Sequence, residues 1–202
     1  MMERVAIIGA GPVGLTLALR LAVLGVPSLV LEAEADVSED LRASTFHPPT
    51  LDMLEELGLA QPLIEQGLVT PTWQIRRHED GARAVFDLGV LKADTGHPYR
   101  LQCEQWKLAR LVLARLRAEH AGAVDVRFGC RVESVTQDAD GVTITGSGFD
   151  PVRAPYAAGC DGARSVVRRA MGLDFTGDTR GECRGRCGDV AARRRQGAGA
   201  GG

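Results

Sequence analysis

The chain has 202 residues, 45% of them hydrophobic and 25% charged, which is ordinary for a globular protein with one sizeable core. The formal net charge of −2 argues against a general affinity for nucleic acid or for an anionic membrane surface. No apolar stretch reaches the roughly 18 residues of a membrane-spanning helix, and residues 1–9 lack the pattern of a secretory signal, so we expect a cytoplasmic protein.

The amino-terminal residues predict a strand–helix–strand unit. Residues 4–8 are rich in β-branched side chains and predict a short buried strand. Residues 13–24 are rich in Leu and Ala and predict a helix, which Gly25 ends. Residues 28–31 predict a second strand, which leads directly to Glu32 and then to an exposed loop over residues 34–40.

The middle of the chain predicts helices separated by strands. A helix is expected over residues 50–57 and a shorter one over residues 62–66. Residues 69–90 have no helical period and predict strands of a sheet. Residues 104–120 carry apolar side chains at the three-four spacing of a long amphipathic helix.

The following segment predicts four more strands and a short helix. The strands are expected over residues 124–128, 131–136, 142–145 and 155–160, and the helix over residues 165–171. The turn sequence Asp138-Ala139-Asp140-Gly141 predicts a hairpin between the second and third of these strands. Strands that alternate with helices, with a hairpin inserted, predict an α/β fold.

One motif in the first unit has a definite chemistry. The turn Gly9-Ala10-Gly11-Pro12-Val13-Gly14 matches G-x-G-x-x-G between a predicted strand and a predicted helix. The first glycine allows the tight turn, the second lets a pyrophosphate approach the backbone, and the third lets the helix pack on the strand. The free N–H groups at the helix start favour a phosphate. We therefore expect Gly9, Gly11, Pro12, Val13 and Gly14 to bind a dinucleotide.

Glu32 strengthens this interpretation. It follows Gly14 by eighteen residues, at the end of the second predicted strand. A carboxylate at this place accepts hydrogen bonds from ribose hydroxyls and repels a 2′-phosphate. The alternative is a tight turn whose glycines are only structural. The motif alone does not separate FAD from NAD.

Three further stretches resemble the FAD-dependent aromatic hydroxylase family, the para-hydroxybenzoate hydroxylase-like flavoprotein monooxygenases. They are Arg42-Ala43-Ser44, Leu101-Gln102-Cys103-Glu104 at the start of the long predicted helix, and the D-G stretch Gly159-Cys160-Asp161-Gly162-Ala163-Arg164-Ser165. The resemblance covers about residues 3–180. Each stretch alone has a simpler interpretation: a solvated loop arginine, a helix N-terminal cap and a turn, respectively.

The resemblance implies a Rossmann-like FAD-binding domain, a βαβ dinucleotide unit with inserted β-strands. It implies that Arg42 lies beside the FAD pyrophosphate and ribose, Gln102 on the flavin side, and Asp161 and Gly162 against the cofactor. The backbone of Val132 would meet the adenine. It also implies NAD(P)H as co-substrate and hydroxylation of a small phenol-like aromatic substrate, without a catalytic side-chain nucleophile. His47, His97, Tyr99 and Trp106 are not obviously paired with other groups, and we expect them to serve packing or the surface.

The residues after 180 differ in composition. Residues 181–202 include seven glycines and five arginines, which predicts a disordered tail. The family continues differently at this point, so we expect residues 1–180 to be a partial FAD-binding domain, incomplete at the carboxyl end, and the tail to be truncated or frame-shifted. Weak or absent turnover by the chain alone follows from this expectation.

Three alternatives stay open at this stage. An FAD-dependent dehydrogenase or oxidase would share the cofactor but insert no oxygen. A nucleotide-binding remnant would bind ADP or FAD without catalysis. A simple NAD-dependent dehydrogenase is least favoured, because it gives no reason for the stretches around Arg42, Gln102 and Asp161. The sequence identifies neither the oligomeric state nor the substrate, and it does not choose between NADH and NADPH.

Overall fold

The computed structural model describes residues 4–39, 43–79 and 81–176. Residues up to Gly172 form one compact unit, and a second unit begins at Leu173. The division predicted between residues 180 and 181 stays a prediction, because residues 177–202 lie outside the described residues. The mixture of strands and helices confirms the predicted α/β class.

Twelve strands and five α-helices are found among the described residues. In chain order they are β1 (Val5–Ile8), α1 (Pro12–Val23), β2 (Ser28–Leu31), β3 (Thr45–Phe46), α2 (Pro48–Glu55), α3 (Ala60–Ile64), β4 (Leu68–Thr70), β5 (Thr72–Arg77), β6 (Gly81–Asp87), β7 (Arg100–Gln102), α4 (Gln105–Glu119), β8 (Val124–Arg127), β9 (Arg131–Asp138), β10 (Gly141–Ser147), β11 (Val152–Ala154), β12 (Ala157–Gly159) and α5 (Val166–Ala170).

A parallel four-stranded sheet forms the centre of the unit. Its strand order is β12-β1-β2-β8, and the register pairs Ile8 with both Leu31 and Gly159. The carboxyl ends of β1, β2 and β12 therefore lie side by side at one edge. In open α/β sheets this is the edge at which ligands bind.

Both faces of this sheet are buried, as expected for parallel strands. Ile7 and Val30 face a core built with α1 and α4. The alternate residues, including Ile8 and Leu31, face a second core built with β9, β10 and α5. Strand β1 and residues 29–31 of β2 are consequently apolar on both sides, which explains why these sequences read as continuous apolar runs.

The antiparallel sheet β11-β10-β9 differs from the prediction at one end. The hairpin turn at residues 138–141 is confirmed, with β9 and β10 paired on either side of it. The strand expected over residues 155–160 is found as the shorter β12, which joins β1 in the parallel sheet, whereas the sequence did not predict β11, which pairs with β10. Pro155 lies between them, and because it has no N–H to donate, it separates the two strands.

The helices agree with the sequence to within a few residues. Helix α2 begins at Pro48, two residues before the expected start, because prolines are tolerated in a first turn whose N–H groups have no helical partner. Helix α4 begins at Gln105, after Glu104 at the N-cap position. No helix within the described ranges combines the length and the apolar character that crossing a membrane requires.

Two small sheets complete the unit. Strands β3, β7 and β4 form one, in which Gln102 pairs with Thr45 on one side and with Leu68 on the other. Gln102 therefore lies in a strand that the sequence did not predict, three residues before α4 begins. Its strand is only three residues long, too short to show a period in the sequence. The second small sheet is the hairpin β5–β6, in which Trp73 stacks against Phe86 with 5.0 Å between ring centroids.

Candidate functional site

The glycine turn, Glu32 and Asp161 come together at the carboxyl edge of the parallel sheet. The Gly9 N–H donates to the carbonyl of Leu31 at 2.8 Å, and the Cys160 N–H donates to the carbonyl of Ile8 at 2.8 Å. These bonds extend the pairing of the sheet by one residue beyond the strands. Three segments far apart in the sequence are thereby placed at one site.

Gly9 and Gly14 are required by close packing of the backbone. Gly9 has a φ of +105°, and a Cβ added there would lie 2.5 Å from the carbonyl oxygen of Cys160. A Cβ added to Gly14 would collide with the carbonyl oxygen of Gly9. The first and third glycines of the motif are thus explained by the fold itself.

Gly11 is different, because the fold gives no reason for it. Its φ of −71° and ψ of 179° suit any residue, and an added Cβ would meet no atom of the described residues within 4 Å. Gly11 is also the N-cap of α1, and no side chain caps this helix. The N–H groups of Val13 and Gly14 therefore begin a helix whose amino end is open. An open helix start beside an unobstructed glycine fits a phosphate group.

Glu32 connects the glycine turn to the loop after β2. One carboxylate oxygen, Oε2, accepts from the Ala10 N–H at 2.6 Å, and Oε1 accepts from the Glu34 N–H at 2.9 Å. The side chain is half-buried. Since each carboxylate oxygen has two lone pairs, both oxygens keep an acceptor site after these bonds.

Asp161 has one oxygen engaged and one without a partner. Oδ2 accepts from the Val166 N–H at 2.6 Å, which ties it to the start of α5. Oδ1 is buried and has no hydrogen-bond partner among the described residues. The neighbouring Gly162 has a φ of +73° and open space around its Cα. A buried acceptor without a donor is unfavourable, so the site is suited to a ligand that donates a hydrogen bond.

Gln102 and Val132 belong to other sheets of the fold, Gln102 to β3-β7-β4 and Val132 to β11-β10-β9. Gln102 is half-buried on β7, and no hydrogen bond joins its side chain to a described residue. The interpretation of Gln102 as a helix cap is wrong, since Glu104 occupies the N-cap position of α4. Val132 is 7% exposed in the second core, on β9, which is an edge strand among the strands that the structure describes. Arg42 lies outside the described residues.

A hydrogen-bonded pair of His97 and Asp52 is present that the sequence did not reveal. The Nδ1 of the buried His97 lies 2.7 Å from Oδ1 of Asp52, and the Thr95 hydroxyl donates to the same carboxylate. These hydrogen bonds, first that of His97 and then that of Thr95, hold the pKa of Asp52 below its ordinary value. The expectation that His97 has no pairing group is wrong. No sequence pattern connects residues 45 positions apart, so only the structure finds this pair.

An apolar groove of about 480 Å³ runs beside the first turns of α1. Its walls come mainly from α1, α2 and β3, and it borders Pro12 and Val13 of the glycine motif. Val13 and Met53 are 68% and 60% exposed within it. The groove is an apolar surface adjoining the open helix start, and no sequence pattern indicates it.

The chain was compared with known proteins. A family model described as an FAD binding domain matches residues 2–194, which extends beyond residue 180. The para-nitrophenol 4-monooxygenase of Pseudomonas sp. strain WBC-3 is 38% identical over 88% of this chain and 44% of its own length. The crystal structure of p-nitrophenol 4-monooxygenase PnpA from Pseudomonas putida DLL-E4 is 37% identical, with a TM-score of 0.81 over 88% of this chain and 45% of that chain.

A third similar protein carries the cofactor. The flavin-dependent monooxygenase PieE, solved in complex with FAD and substrate, is 27% identical, with a TM-score of 0.75 over 88% of this chain and 33% of its own. The chain spans less than half the length of these relatives. Together, the family match over most of the sequence and the shared fold show that the chain belongs to the FAD binding domain family.

Proposed function

We propose that this chain provides the ADP-binding part of the FAD site in an NAD(P)H-dependent flavoprotein monooxygenase that hydroxylates a small phenol-like substrate. The observation that carries the proposal is the meeting of Gly11, Glu32 and Asp161 at one sheet edge, each with bonding capacity that the protein does not use. The relatives support the reaction class, since they include a para-nitrophenol 4-monooxygenase and 3-(3-hydroxy-phenyl)propionate/3-hydroxycinnamic acid hydroxylase.

The proposed roles at the sheet edge follow from the contacts already described. The diphosphate lies against Gly11, where an absent side chain permits approach to the backbone of Pro12 and to the N–H groups of Val13 and Gly14. Gly9 maintains the turn. Glu32 accepts hydrogen bonds from the ribose hydroxyls while holding the turn through the Ala10 N–H.

Asp161 provides the second polar contact. Its Oδ1, which has no donor among the described residues, accepts a hydrogen bond from the hydroxyl-bearing part of the cofactor, and Gly162 leaves room for it. Arg42 beside the diphosphate, Gln102 on the flavin side and the Val132 backbone beside the adenine complete the proposed set. Their support is the resemblance to the aromatic hydroxylases.

When bound, FAD supplies the redox chemistry between the nicotinamide donor and dioxygen, and the protein orients it and excludes water. The side chains of this chain bind and position the cofactor, and none is proposed as a nucleophile. We further propose that turnover by the 202-residue chain alone is weak, because it spans less than half of its relatives. NAD(P)H as donor and a cytoplasmic location remain parts of the proposal.

The proposal is tested by titrating the purified chain with FAD, ADP and NAD. FAD at 100 times its Kd stabilises a protein by about 2.7 kcal/mol, which raises the Tm of a domain of this size by roughly 5–11 °C. ADP should compete with FAD because both use the same half of the site. A chain whose Tm is unchanged by FAD would contradict the proposal.

The reaction is tested separately with NADPH and 4-nitrophenol. We expect slow NADPH oxidation and little hydroxylated product. Turnover at ordinary enzyme rates would contradict the expectation of weak activity. FAD binding with NADPH oxidation but without incorporation of labelled dioxygen would favour a dehydrogenase or oxidase.

A further inference from the structure

The short strand β7 presents different side chains to the two faces of its sheet. Leu101 is fully buried and shares its row with the buried Phe46 of β3. Because side chains alternate along a strand, Arg100 and Gln102 lie on the opposite face. Thr45 pairs directly with Gln102, so this face combines an arginine, an amide and a hydroxyl.

Arg100 is unusual among the arginines whose side chains the structure describes. Three of these are half-buried: Arg100, Arg115 and Arg168. Arg115 donates to Glu119 at 2.9 Å, and Arg168 donates to the carbonyl of Ala163 at 2.8 Å. Arg100 forms no hydrogen bond or ion pair with a described residue, and its Nε is buried without an acceptor. The Nε of Arg168 is buried without an acceptor as well, but that guanidinium is engaged through Nη1. Arg100 differs in that no described residue engages its guanidinium.

A buried guanidinium nitrogen without an acceptor calls for a physical explanation. Arginine is fully charged at neutral pH, so burial of its Nε removes water that nothing in the described chain replaces. The aliphatic stem could be buried for packing alone, as in other long side chains. That would leave the head in water, whereas here the Nε itself is enclosed.

The neighbours of Arg100 on this face also lack hydrogen-bond partners for their side chains among the described residues. The side chains of Gln102 and Thr45 are half-buried, and neither forms a hydrogen bond with a described residue. Leu68, opposite Gln102 on β4, is 68% exposed and adds an apolar surface. A few polar groups beside apolar surface are typical of a site for a small organic molecule.

We propose that Arg100, with Gln102 and Thr45, binds an anionic oxygen group of a small ligand at this face of β7. The planar guanidinium forms two parallel hydrogen bonds to a carboxylate or phosphate, which no neutral side chain can do. The proposal rests on the proposed function, which supplies two sources of such a group. One is the carboxylate or phenolate of an aromatic substrate, and the other is a phosphate of the nicotinamide dinucleotide.

The test uses the full 202-residue chain loaded with FAD and measures binding by calorimetry. Benzoate is compared with its neutral counterpart benzamide, and 2′-phospho-ADP-ribose is compared with ADP-ribose. Arg100→Met removes the charge at similar length, and Arg100→Lys keeps the charge but loses the paired geometry. Arg117→Met is the matched control, since Arg117 is an exposed arginine on α4.

We expect the unchanged chain to bind at least one anion about tenfold or more tightly than its neutral partner, as for a charge-assisted hydrogen bond. Arg100→Met should abolish that preference, Arg100→Lys should reduce it, and Arg117→Met should leave it intact. If Arg100→Met loses the preference for benzoate over benzamide, the aromatic substrate is the source of the anion. If Arg100→Met loses the preference for 2′-phospho-ADP-ribose over ADP-ribose, the nicotinamide dinucleotide is the source.

Equal affinity for the charged and neutral ligands in the unchanged chain would overturn the proposal. A preference for the charged ligand that persists in Arg100→Met would overturn it as well. If Arg100→Met does not fold, as judged by its Tm, the preferences of the unchanged chain and of Arg100→Lys decide the question. Failure of the chain to bind FAD is a separate result that contradicts the proposed function, and the same anion titrations on the FAD-free chain then test Arg100.

Discussion

Substitution of Gly11 by Ala separates cofactor binding from folding. Most glycine substitutions in a dinucleotide turn damage both properties at once, because the glycine is needed by the backbone. Gly11 has a φ of −71°, and its added Cβ meets no protein atom within 4 Å. The change therefore adds a methyl group only to the space in which the diphosphate is proposed to lie.

The expected change in stability is small. A compatible Gly→Ala substitution stabilises by about 0.4–1 kcal/mol, because it reduces the freedom of the unfolded chain. Gly11 is also an N-cap, where Ala is disfavoured by a comparable amount, on the order of 0.5–1 kcal/mol. The two effects nearly cancel, so the free energy of unfolding should change by less than about 1 kcal/mol.

The expected change in affinity is larger. The methyl group holds the diphosphate away from the N–H groups of Val13 and Gly14. Loss of one charge-assisted hydrogen bond weakens binding by about 1.5–3 kcal/mol, which raises the Kd for FAD by roughly 10- to 150-fold.

The assay is a fluorescence titration with FAD together with thermal unfolding of the FAD-free chain. Gly122→Ala is the matched control, because its added Cβ also meets no protein atom and it lies in the turn before β8 at the opposite end of the sheet. The reasoning would be refuted if Gly11→Ala bound FAD as tightly as the unchanged chain. A fall in Tm comparable to that of a core substitution would also refute it.

The remaining predictions concern three other positions. Gly9→Ala should destabilise the FAD-free chain by about 1–3 kcal/mol, since its φ is +105° and its Cβ meets the Cys160 carbonyl; a denaturant titration measures this, and an unchanged midpoint would contradict it. Glu32→Gln should destabilise the fold by about 1 kcal/mol, because one carboxylate oxygen becomes an amide nitrogen, which cannot accept the hydrogen bond from Ala10 or Glu34. It should also weaken FAD binding about tenfold. A titration with FAD measures this effect, and a titration of the same variant with free phosphate is the control. The lowered pKa of Asp52 means that its contribution to stability is present well above 3.8, its ordinary value, and is lost as the pH falls through the lowered value. Asp52→Asn should therefore weaken the fold near neutral pH and flatten the acid side of its stability profile; an acid side as steep as before would show that Asp52 is not responsible.

The amino-terminal unit was predictable because its physics is local. The strands at 5–8 and 28–31 are apolar apart from the buried Ser28, and the glycine turn between strand and helix has a fixed spacing. Glu32 follows the second strand directly, so its place at the sheet edge required no knowledge of distant contacts. The interpretation as an FAD binding domain rested on the same short segment together with the later stretches around Arg42, Gln102 and Asp161.

The predictions failed where a partner from elsewhere in the chain decides the structure. The strand β7 exists because β3 and β4 pair with it on both sides, and its three residues carry no period of their own. The exchange of sheets at Pro155 depends on which strands are available to β11 and β12. The pair of His97 and Asp52 joins a loop to a helix, and the unpartnered Nε of Arg100 is defined only by what surrounds it.

The neighbour of β1 on one side is β12, which follows it by about 150 residues. During synthesis at the ribosome, one edge of the first strand consequently stays unpaired until Gly159 has emerged, long after the glycine turn is made. Loop closure over such a distance is slow compared with formation of the adjacent βαβ unit. The nucleotide-binding edge is thus completed only late in folding, and cofactor present in the cell would act on the last step of assembly rather than on the first.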